Sequence, residues 1–479
     1  MIRMTPFRYS ALLTDFYELT MLAGYFEKGM HEDEAVFDLF FRKNPFKGSY
    51  AVFAGLETAL RYLQELRFSD EDIAYLGSLD TFSAEFLEYL RGFRFNCRVI
   101  APQEGTLVFN HEPLLTVEGN LAEAQLVETA LLNIINFQTL VATKAARIQG
   151  AAGNGIVVEF GLRRAHGPDG GLSAVRGAFV GGVRSTSNVW AGQVLDIAVQ
   201  GTHAHSWIMA FSDELSSFRA YADVFPDSSV LLVDTYDTLK SGVCNAITVA
   251  GELRKRGHEL LGIRLDSGDL AYLSKQARGM LDEAGFPDVK IVASNELDEY
   301  VIDSIRSEGG QVDIYGVGTS LATAAGEGGG HLGGVYKLVR HGGQPKIKVT
   351  SDIAKATLPD RKRLIRVIQS DGSFHQDIMC RENEDLKKGD TVYDPTNVAH
   401  FKKIPAGVKF ENLRHTWMEK GKLIKELPSL ASSADRCAEQ LKKMPNGTLR
   451  LHHPHIYKVS ISEGLNELRT RLRQRYLEG

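Results

Sequence analysis

The chain has 479 residues, a length that calls for two or three domains. Hydrophobic residues at 43% and charged residues at 24% are ordinary globular usage, enough to bury a sizeable core. A net charge of −5, with no long block of one sign, argues against a nucleic-acid-binding surface, so an anionic ligand must be held by local basic groups.

Four cysteines, Cys97, Cys244, Cys380 and Cys437, stand far apart and form no CxxC pair. That spacing points to reduced thiols in a cytoplasmic protein rather than to a zinc site or a disulfide scaffold. Asp15 and Glu18 interrupt the apolar part of the first twenty residues, leaving no signal-peptide core. The longest uncharged run, Thr129 to Thr143, is too short to cross a bilayer and contains Asn133, Asn136 and Gln138.

In chain order, residues 9–30 read as a helix opening near Thr14-Asp15, with Leu19, Leu22 and Phe26 at helical spacing. Tyr17 sits one step off that stripe, and a half-buried helix tyrosine is its plainest reading. A strand follows over Ala35–Phe41, a helix over about Gly55–Leu66, and short helices with aromatic anchors over 68–95. Arg98–Ala101, Thr106–Phe109 and Leu114–Val117 are short β runs broken by Glu104-Gly105 and Glu112-Pro113, as in a small antiparallel sheet. Asn120-Leu-Ala-Glu123 has the form of a capping box and opens a long apolar helix to about Arg147. This helix closes an N-terminal α/β domain over 1–150.

From 151 to 345, β-branched runs alternate with amphipathic stretches. The runs are Ile156–Phe160, Val194–Val199, Val230–Val233, Leu260–Arg264, Lys290–Ala293 and Val312–Tyr315. The later ones recur every 20 to 30 residues or so, which is the βα period of a parallel sheet buried on both faces. The runs exit into Gly161-Leu-Arg163-Arg164, Gly201-Thr-His-Ala-His205, Asp234-Thr-Tyr-Asp237, Asp266-Ser-Gly-Asp269, Ser294-Asn295 and Gly316-Val-Gly318-Thr319. In a βα-barrel such exits converge on one rim, where chemistry is placed. Helix N-caps also favour Asp and Ser, so Asp266 and Ser294 are open to a capping role alone. Six polar exits with His and Arg among them favour a site.

Residues 346–479 form a C-terminal mixed α/β segment, with strands at Lys346–Thr350 and Leu364–Ile368 and a closing helix from Ser462. Its His452-His453-Pro-His455 run has the donors for a metal but no helix to space the rings.

On the rim, Gly316-Val-Gly318-Thr319-Ser320 outlines a phosphate cradle, without the lysine of a P-loop or the third glycine of a dinucleotide fingerprint. Arg163 and Arg164 offer bidentate donors to phosphate or carboxylate, or else surface ion pairs. Asp266 and Asp269 suit sugar hydroxyls or hydrated Mg²⁺. His205 can act as nucleophile or proton carrier. Together these describe a site for a phosphorylated sugar with Mg²⁺.

Several stretches closely resemble nicotinate phosphoribosyltransferase. They are Thr14-Asp-Phe-Tyr17-Glu-Leu-Thr-Met, Phe160-Gly-Leu-Arg163-Arg-Ala, Gly167-Pro-Asp-Gly-Gly, Gly201-Thr-His-Ala-His205-Ser, Val233-Asp-Thr-Tyr-Asp-Thr, Arg264-Leu-Asp266-Ser-Gly-Asp269, Gly316-Val-Gly-Thr319-Ser and Leu332-Gly-Gly-Val-Tyr-Lys. The resemblance runs in matching order from about residue 10 to 360. It implies an irregular α/β barrel of the type II phosphoribosyltransferase kind and a homodimer. It also implies transfer of a phosphoribosyl group from 5-phosphoribosyl 1-diphosphate to nicotinate, with coupled ATP hydrolysis, Mg²⁺ and a ligase classification.

By the same resemblance, His205 is the residue that ATP phosphorylates. Tyr17, from the partner subunit, and Phe160 stack on the pyridine ring, and Thr202 and Arg264 also contact nicotinate. Arg163, Asp266, Gly318, Thr319 and Thr350 serve the phosphoribosyl and phosphate groups. No role is implied for His203. The related nicotinamide enzyme carries Asp in a Gly-Thr-Asp-Thr-Val-Ala-Gly stretch. Here the matching stretch is Ser185-Thr-Ser-Asn188-Val-Trp-Ala-Gly192, and Asn188 favours the acid over the amide. The competing readings are a nicotinamide-preferring enzyme and a non-catalytic nucleotide-binding barrel.

Overall fold

The computed structural model describes residues 9–349 and 357–478. The chain forms two compact units, one holding the described residues up to Thr143 together with those from Glu327 onward, the other Lys144–Gly326. These boundaries stand beside the divisions expected at 150 and 345.

In the first unit an antiparallel seven-stranded sheet runs in the order Gln344–Pro345, Gly334–His341, Glu34–Phe41, Leu115–Asn120, Arg98–Pro102, Arg414–Glu419 and Lys422–Leu423. Glu34–Phe41 lies in its interior and is buried at every position after the first. Arg414–Glu419, from the C-terminal segment, pairs with Arg98–Pro102, so that segment is woven into the N-terminal sheet. A six-stranded sheet follows, ordered Phe401–Lys403, Thr391–Tyr393, Val459–Ser462, Phe374–Arg381, Lys362–Ile368 and Lys409–Asn412. Arg366, on the six-stranded sheet, is fully buried, donating to Asp377 Oδ1 at 2.9 Å and Oδ2 at 2.7 Å, and to the Leu107 carbonyl at 2.7 Å. A charge this deep is tolerable only with its partner and hydrogen bonds in place.

Several expectations for this unit need correction. Leu107–Val108 does not join Arg98–Pro102 and Leu115–Asn120 but pairs with Ala51–Val52 in a separate two-stranded ribbon. The capping box at Asn120 does not form: the Asn120 side chain caps no amide and instead donates through Nδ2 to Glu123 Oε1 at 3.2 Å, while Glu123 Oε2 accepts from the Asn96 amide and the Cys97 thiol. The long helix is broken at Val127 into Leu121–Leu126 and Glu128–Ala152. In the C-terminal segment, only Gln344–Pro345 is strand near the expected Lys346–Thr350, and Thr350 lies outside the described residues.

The second unit is a seven-stranded parallel sheet curled as a half-barrel. Its strands are β1 (Ile156–Glu159), β2 (Ser185–Thr186), β3 (Ala198–Val199), β4 (Val230–Leu232), β5 (Gly262–Leu265), β6 (Lys290–Ala293) and β7 (Ile314–Val317). They lie in the order β3-β2-β1-β7-β6-β5-β4. The apolar run Val194–Val199 is not one strand. Its first residues end the helix Val189–Leu195, Asp196 turns left-handed at φ 57°, and only Ala198–Val199 is β. An apolar run of this length fits a buried helix end as well as a strand. The short β2 and the helix Gly167–Val180 complete the unit. Helices Val243–Lys255, Leu270–Glu283 and Glu299–Ser307 follow the βα period.

Candidate active site

In a parallel sheet every strand delivers its exit to the same end. The exits of β1, β3, β4, β5, β6 and β7 meet there through side chains. His205 opens a five-residue helix after β3, and its Nε2 stands 3.2 Å from Asp234 Oδ1 at the exit of β4. The Asp234 side chain is only 1% exposed, so its charge is shielded from water. Its Oδ2 accepts from the Asp266 amide at 2.8 Å and the Ser267 hydroxyl at 2.6 Å, which ties the β4 exit to the β5 exit.

Arg264, at the end of β5, is the hub of the rim. Its Nη1 donates to Thr202 Oγ1 at 2.9 Å and its Nη2 to Asp266 Oδ1 at 2.8 Å. Its Nε donates to Ser294 Oγ at 2.8 Å, and the guanidinium lies 5.9 Å from the centre of the Phe160 ring. Ser294 in turn donates to Asp266. Asp266 is therefore an ion-pair partner rather than a helix cap. The cap of Leu270–Glu283 is Asp269, whose Oδ1 accepts from the Tyr272 amide at 2.9 Å. Ser294 is likewise a rim contact, followed by Asn295 in the left-handed region at φ 82°.

Phe160 follows β1 with its ring laid on the backbone of β7. A Cβ on Gly316 would come within 2.5 Å of that ring, so only glycine leaves it room. Gly318 approaches the Phe160 carbonyl, and a Cβ on Gly161 would come within 2.7 Å of the Gly318 carbonyl. These glycines let the β1 and β7 exits touch. The helix after Gly318, Thr319–Ala322, is four residues long, so the backbone amides at its start matter more than any dipole. Thr319 is exposed, as are Arg163 and Arg164 in the 3-10 turn Leu162–Arg164. Neither arginine forms an ion pair among the described residues, so the ion-pair alternative does not hold there.

Two further groups shape the rim from below. Glu159 is buried and accepts from Thr186 Oγ1 and the Gly161 amide, binding the β1 and β2 exits together, and burial pushes its carboxyl up. Asn188 follows β2, 1% exposed. Its Oδ1 caps Val189–Leu195 by accepting from the Ala191 amide at 3.1 Å. Nδ2 is then left buried with no hydrogen-bond partner. A buried amide donor in this state favours a ligand that accepts.

The rim thus unites His205, Thr202, Arg264, Asp266, Phe160 and Gly318. Tyr17 belongs to the other unit, on the first turn of the helix Phe16–Glu27, 47% exposed. Asp234 was missed as a site residue, although its exit was plain in the sequence. The signal in the sequence was only that the two exits are successive along the chain; β3 and β4 are the two edges of the sheet, so their meeting was not legible.

His203 also gains a place. Its ring is buried and its Nε2 accepts from the Leu232 amide at 3.4 Å, on the side of β4 that faces away from β5. It packs edge-on against Tyr221 at 4.7 Å. Burial pushes its pKa down to about 4. His203 is therefore a neutral plug on the open edge of the half-barrel, not a second reactive imidazole.

Against known proteins, three models match in order. They are the nicotinate phosphoribosyltransferase N-terminal domain at residues 12–136, the nicotinate phosphoribosyltransferase family at 156–372, and the nicotinate phosphoribosyltransferase C-terminal domain at 361–469. The nicotinate phosphoribosyltransferase of Bacillus subtilis is 43% identical over 460 residues, covering 95% of this chain and 93% of its own. The chain belongs to the nicotinate phosphoribosyltransferase family. The enzyme of that name from Caenorhabditis elegans is 38% identical, covering 95% of this chain and 92% of its own. The crystal structure of human nicotinic acid phosphoribosyltransferase superposes with a TM-score of 0.85 at 34% identity, over 96% of this chain and 99% of that one. A nicotinate-nucleotide pyrophosphorylase from Pyrococcus furiosus, 24% identical with a TM-score of 0.71, shares the fold. Family membership accounts for the half-barrel, and in βα-barrel enzymes the strand exits are where chemistry is placed.

Proposed function

We propose that the protein forms nicotinate mononucleotide and diphosphate from nicotinate and 5-phosphoribosyl 1-diphosphate, in NAD biosynthesis, with ATP hydrolysis coupled through phosphorylated His205. The observation that carries this reading is the His205–Asp234 pair beside the Arg264–Asp266 hub, in a chain of this family. In the coupled step the His205 imidazole attacks the γ-phosphorus of ATP. A nitrogen–phosphorus bond forms, the bond to the ADP oxygen breaks, and Asp234 steadies the positive charge that builds on the ring.

In the transfer step the pyridine nitrogen of nicotinate attacks the ribosyl C1 while the bond to diphosphate breaks. The nitrogen is already a nucleophile, so the site must orient the ring and receive the leaving charge. Phe160 supplies an aromatic face, Tyr17 of a neighbouring subunit in a homodimer the other, and Thr202 and Arg264 face the ring's substituent. Arg163, Asp266, Gly318, Thr319 and Thr350 take the phosphoribosyl and phosphate groups. Asn188 Nδ2, a donor with its oxygen already committed to a helix cap, suits a carboxylate better than an amide.

No group of three His, Cys, Asp or Glu suited to a metal occurs among the described residues. Asp266 is held by Arg264. This donor set fits Mg²⁺ carried mainly on the diphosphate, where it would neutralise leaving charge. No helix among the described residues is long and apolar enough to cross a membrane. A cytoplasmic ligase acting on soluble substrates is the reading that accords with the composition.

The test is transfer of label from γ-labelled ATP to the protein, with mapping of the acid-labile site, for the wild type and His205→Ala. Label on His205, lost together with ATP stimulation in the variant while some ATP-independent transfer persists, is expected. ATP stimulation that survives His205→Ala unchanged would show the phosphohistidine proposal to be wrong.

A further inference from the structure

Asn188 owes its place at the β2 exit to a chain of buried hydrogen bonds that starts on the neighbouring strand. Glu159 ends β1 and pairs in register with Thr186, the last residue of β2. Glu159, Thr186 and Asn188 are all buried. Glu159 Oε2 accepts from the Thr186 hydroxyl and Oε1 from the Gly161 amide. Thr186 Oγ1 in turn accepts from the Asn188 backbone amide at 3.0 Å. A hydroxyl has one proton to give, and here it goes to Glu159, which leaves the oxygen lone pairs for Asn188. The chain therefore has one direction, from Asn188 through Thr186 to Glu159.

The charge at its end is unusual. Both donors to Glu159 are uncharged, and no cation pairs with it among the described residues. A buried carboxylate in this state is costly to keep, and a glutamine would fill the same space without the charge. A glutamine, however, offers one acceptor where two are needed. Its NH₂ would face either the Gly161 amide or the Thr186 hydroxyl, a donor against a donor.

The other end of the chain is equally constrained. The Asn188 carbonyl accepts from the Gly192 amide at 2.9 Å, and Oδ1 accepts from the Ala191 amide at 3.1 Å. With its amide, carbonyl and Oδ1 all committed, Nδ2 is the group of this residue left without a partner.

We propose that Glu159 and Thr186 are positioning residues for substrate selectivity. The carboxylate fixes the Thr186 hydroxyl, the hydroxyl fixes the Asn188 backbone, and Nδ2 is thereby held where a ligand carboxylate can accept from it. This rests on the reading of Asn188 as the group that tells nicotinate from nicotinamide. The relay acts on the discrimination between acid and amide, not on the handling of 5-phosphoribosyl 1-diphosphate.

The experiment is a competition between nicotinate and nicotinamide on the full-length protein, with KM for 5-phosphoribosyl 1-diphosphate and melting temperature measured alongside. Thr186→Val keeps the shape and removes the middle link. It is expected to lower the ratio of kcat/KM for nicotinate over nicotinamide about fivefold, the loss of one hydrogen bond, with KM for 5-phosphoribosyl 1-diphosphate near its wild-type value. Thr186→Ser, which keeps the hydroxyl, should restore the ratio. Glu159→Gln breaks the relay from its other end and should move the ratio in the same direction, which keeps the test open if Thr186→Val does not fold. A merely structural role would reduce the amount of active protein and leave the ratio alone. In an Asn188→Ala background, Thr186→Val should lower the ratio no further. A ratio unmoved in the folded relay variants, no recovery in Thr186→Ser, or additivity with Asn188→Ala overturns the relay. A ratio unmoved in Asn188→Ala by itself overturns the reading of Asn188, so the two failures are told apart.

Discussion

Asp234 holds His205 from a buried position, with its Oδ1 3.2 Å from the imidazole Nε2. Its second oxygen is spent on the Asp266 amide and the Ser267 hydroxyl, so the carboxylate cannot swing away. A buried carboxylate fixed in this way orients a ring and stabilises it when charged, as a third group does for any base-activated nucleophile. Asp234→Asn keeps the size and removes the charge. We expect ATP-dependent labelling of His205 to slow by about 10²-fold, with ATP-independent transfer much less affected. Labelling at the wild-type rate would mean that Asp234 serves the fold and not the imidazole.

The acid–amide choice rests on Asn188. Its Oδ1 must accept from the Ala191 amide, which fixes Nδ2 as the group offered to a ligand. Asn188→Asp retains the cap, since Asp caps helices as well as Asn, but replaces a donor with negative charge. We expect the ratio of kcat/KM for nicotinate over nicotinamide to fall by about tenfold or more, in line with the cost of an unpaired polar group. A ratio that does not move in a competition assay removes Asn188 from the specificity argument.

The Phe160 ring depends on a residue with no side chain. Gly316→Ala would place a methyl within 2.5 Å of the ring, and β7 is held in ladder on both sides, so the ring must yield. We expect a stability loss of about 1–3 kcal/mol, typical of overpacking. KM for nicotinate should rise while KM for 5-phosphoribosyl 1-diphosphate stays near its wild-type value. Equal rises in both would mean that the whole rim has shifted rather than one aromatic face.

Much of the half-barrel and its rim was legible in the sequence. Parallel strands buried on both faces announce themselves as short apolar runs, and the polar residues directly after each run must form the rim. His205 was found that way, whereas Phe160 and Arg264, which close the runs themselves, became site residues through the family resemblance. The pairings were not legible. That Asp234 rather than Asp266 or Asp237 meets His205 depends on the curl of the sheet, which brings the exits of its two edge strands, β3 and β4, together. The misreadings also have physical causes. Val194–Val199 joins a helix end to a two-residue strand that is exposed, with only Ile197 buried, and a left-handed Asp196 between them leaves no periodic trace. At Asn120 the local pattern was right for a cap, but the Asn120 amide turns to Glu123 Oε1 while Glu123 Oε2 takes the Asn96 amide and the Cys97 thiol, which are distant in sequence. His203 had no meaning until β4 was seen as an edge.

That edge gives the protein a pH-dependent weak point. The Leu232 amide faces away from β5 and is satisfied by His203 Nε2, which can accept only while the ring is neutral. Burial lowers the folded-state pKa to about 4 from an ordinary 6.5. Between those values the unfolded chain binds the proton and the native state does not. The stabilisation is therefore complete above pH 6.5 and is lost as pH falls through about 4. The loss amounts to on the order of 2–3 kcal/mol at pH 4 relative to pH 7. His203→Gln can still accept the Leu232 amide through its carbonyl but does not titrate. Urea unfolding at a series of pH values should show the wild type losing stability faster than His203→Gln as pH falls below 6.5, with the two slopes alike above it. Parallel slopes across the whole range would place the acid sensitivity elsewhere and leave His203 as packing alone.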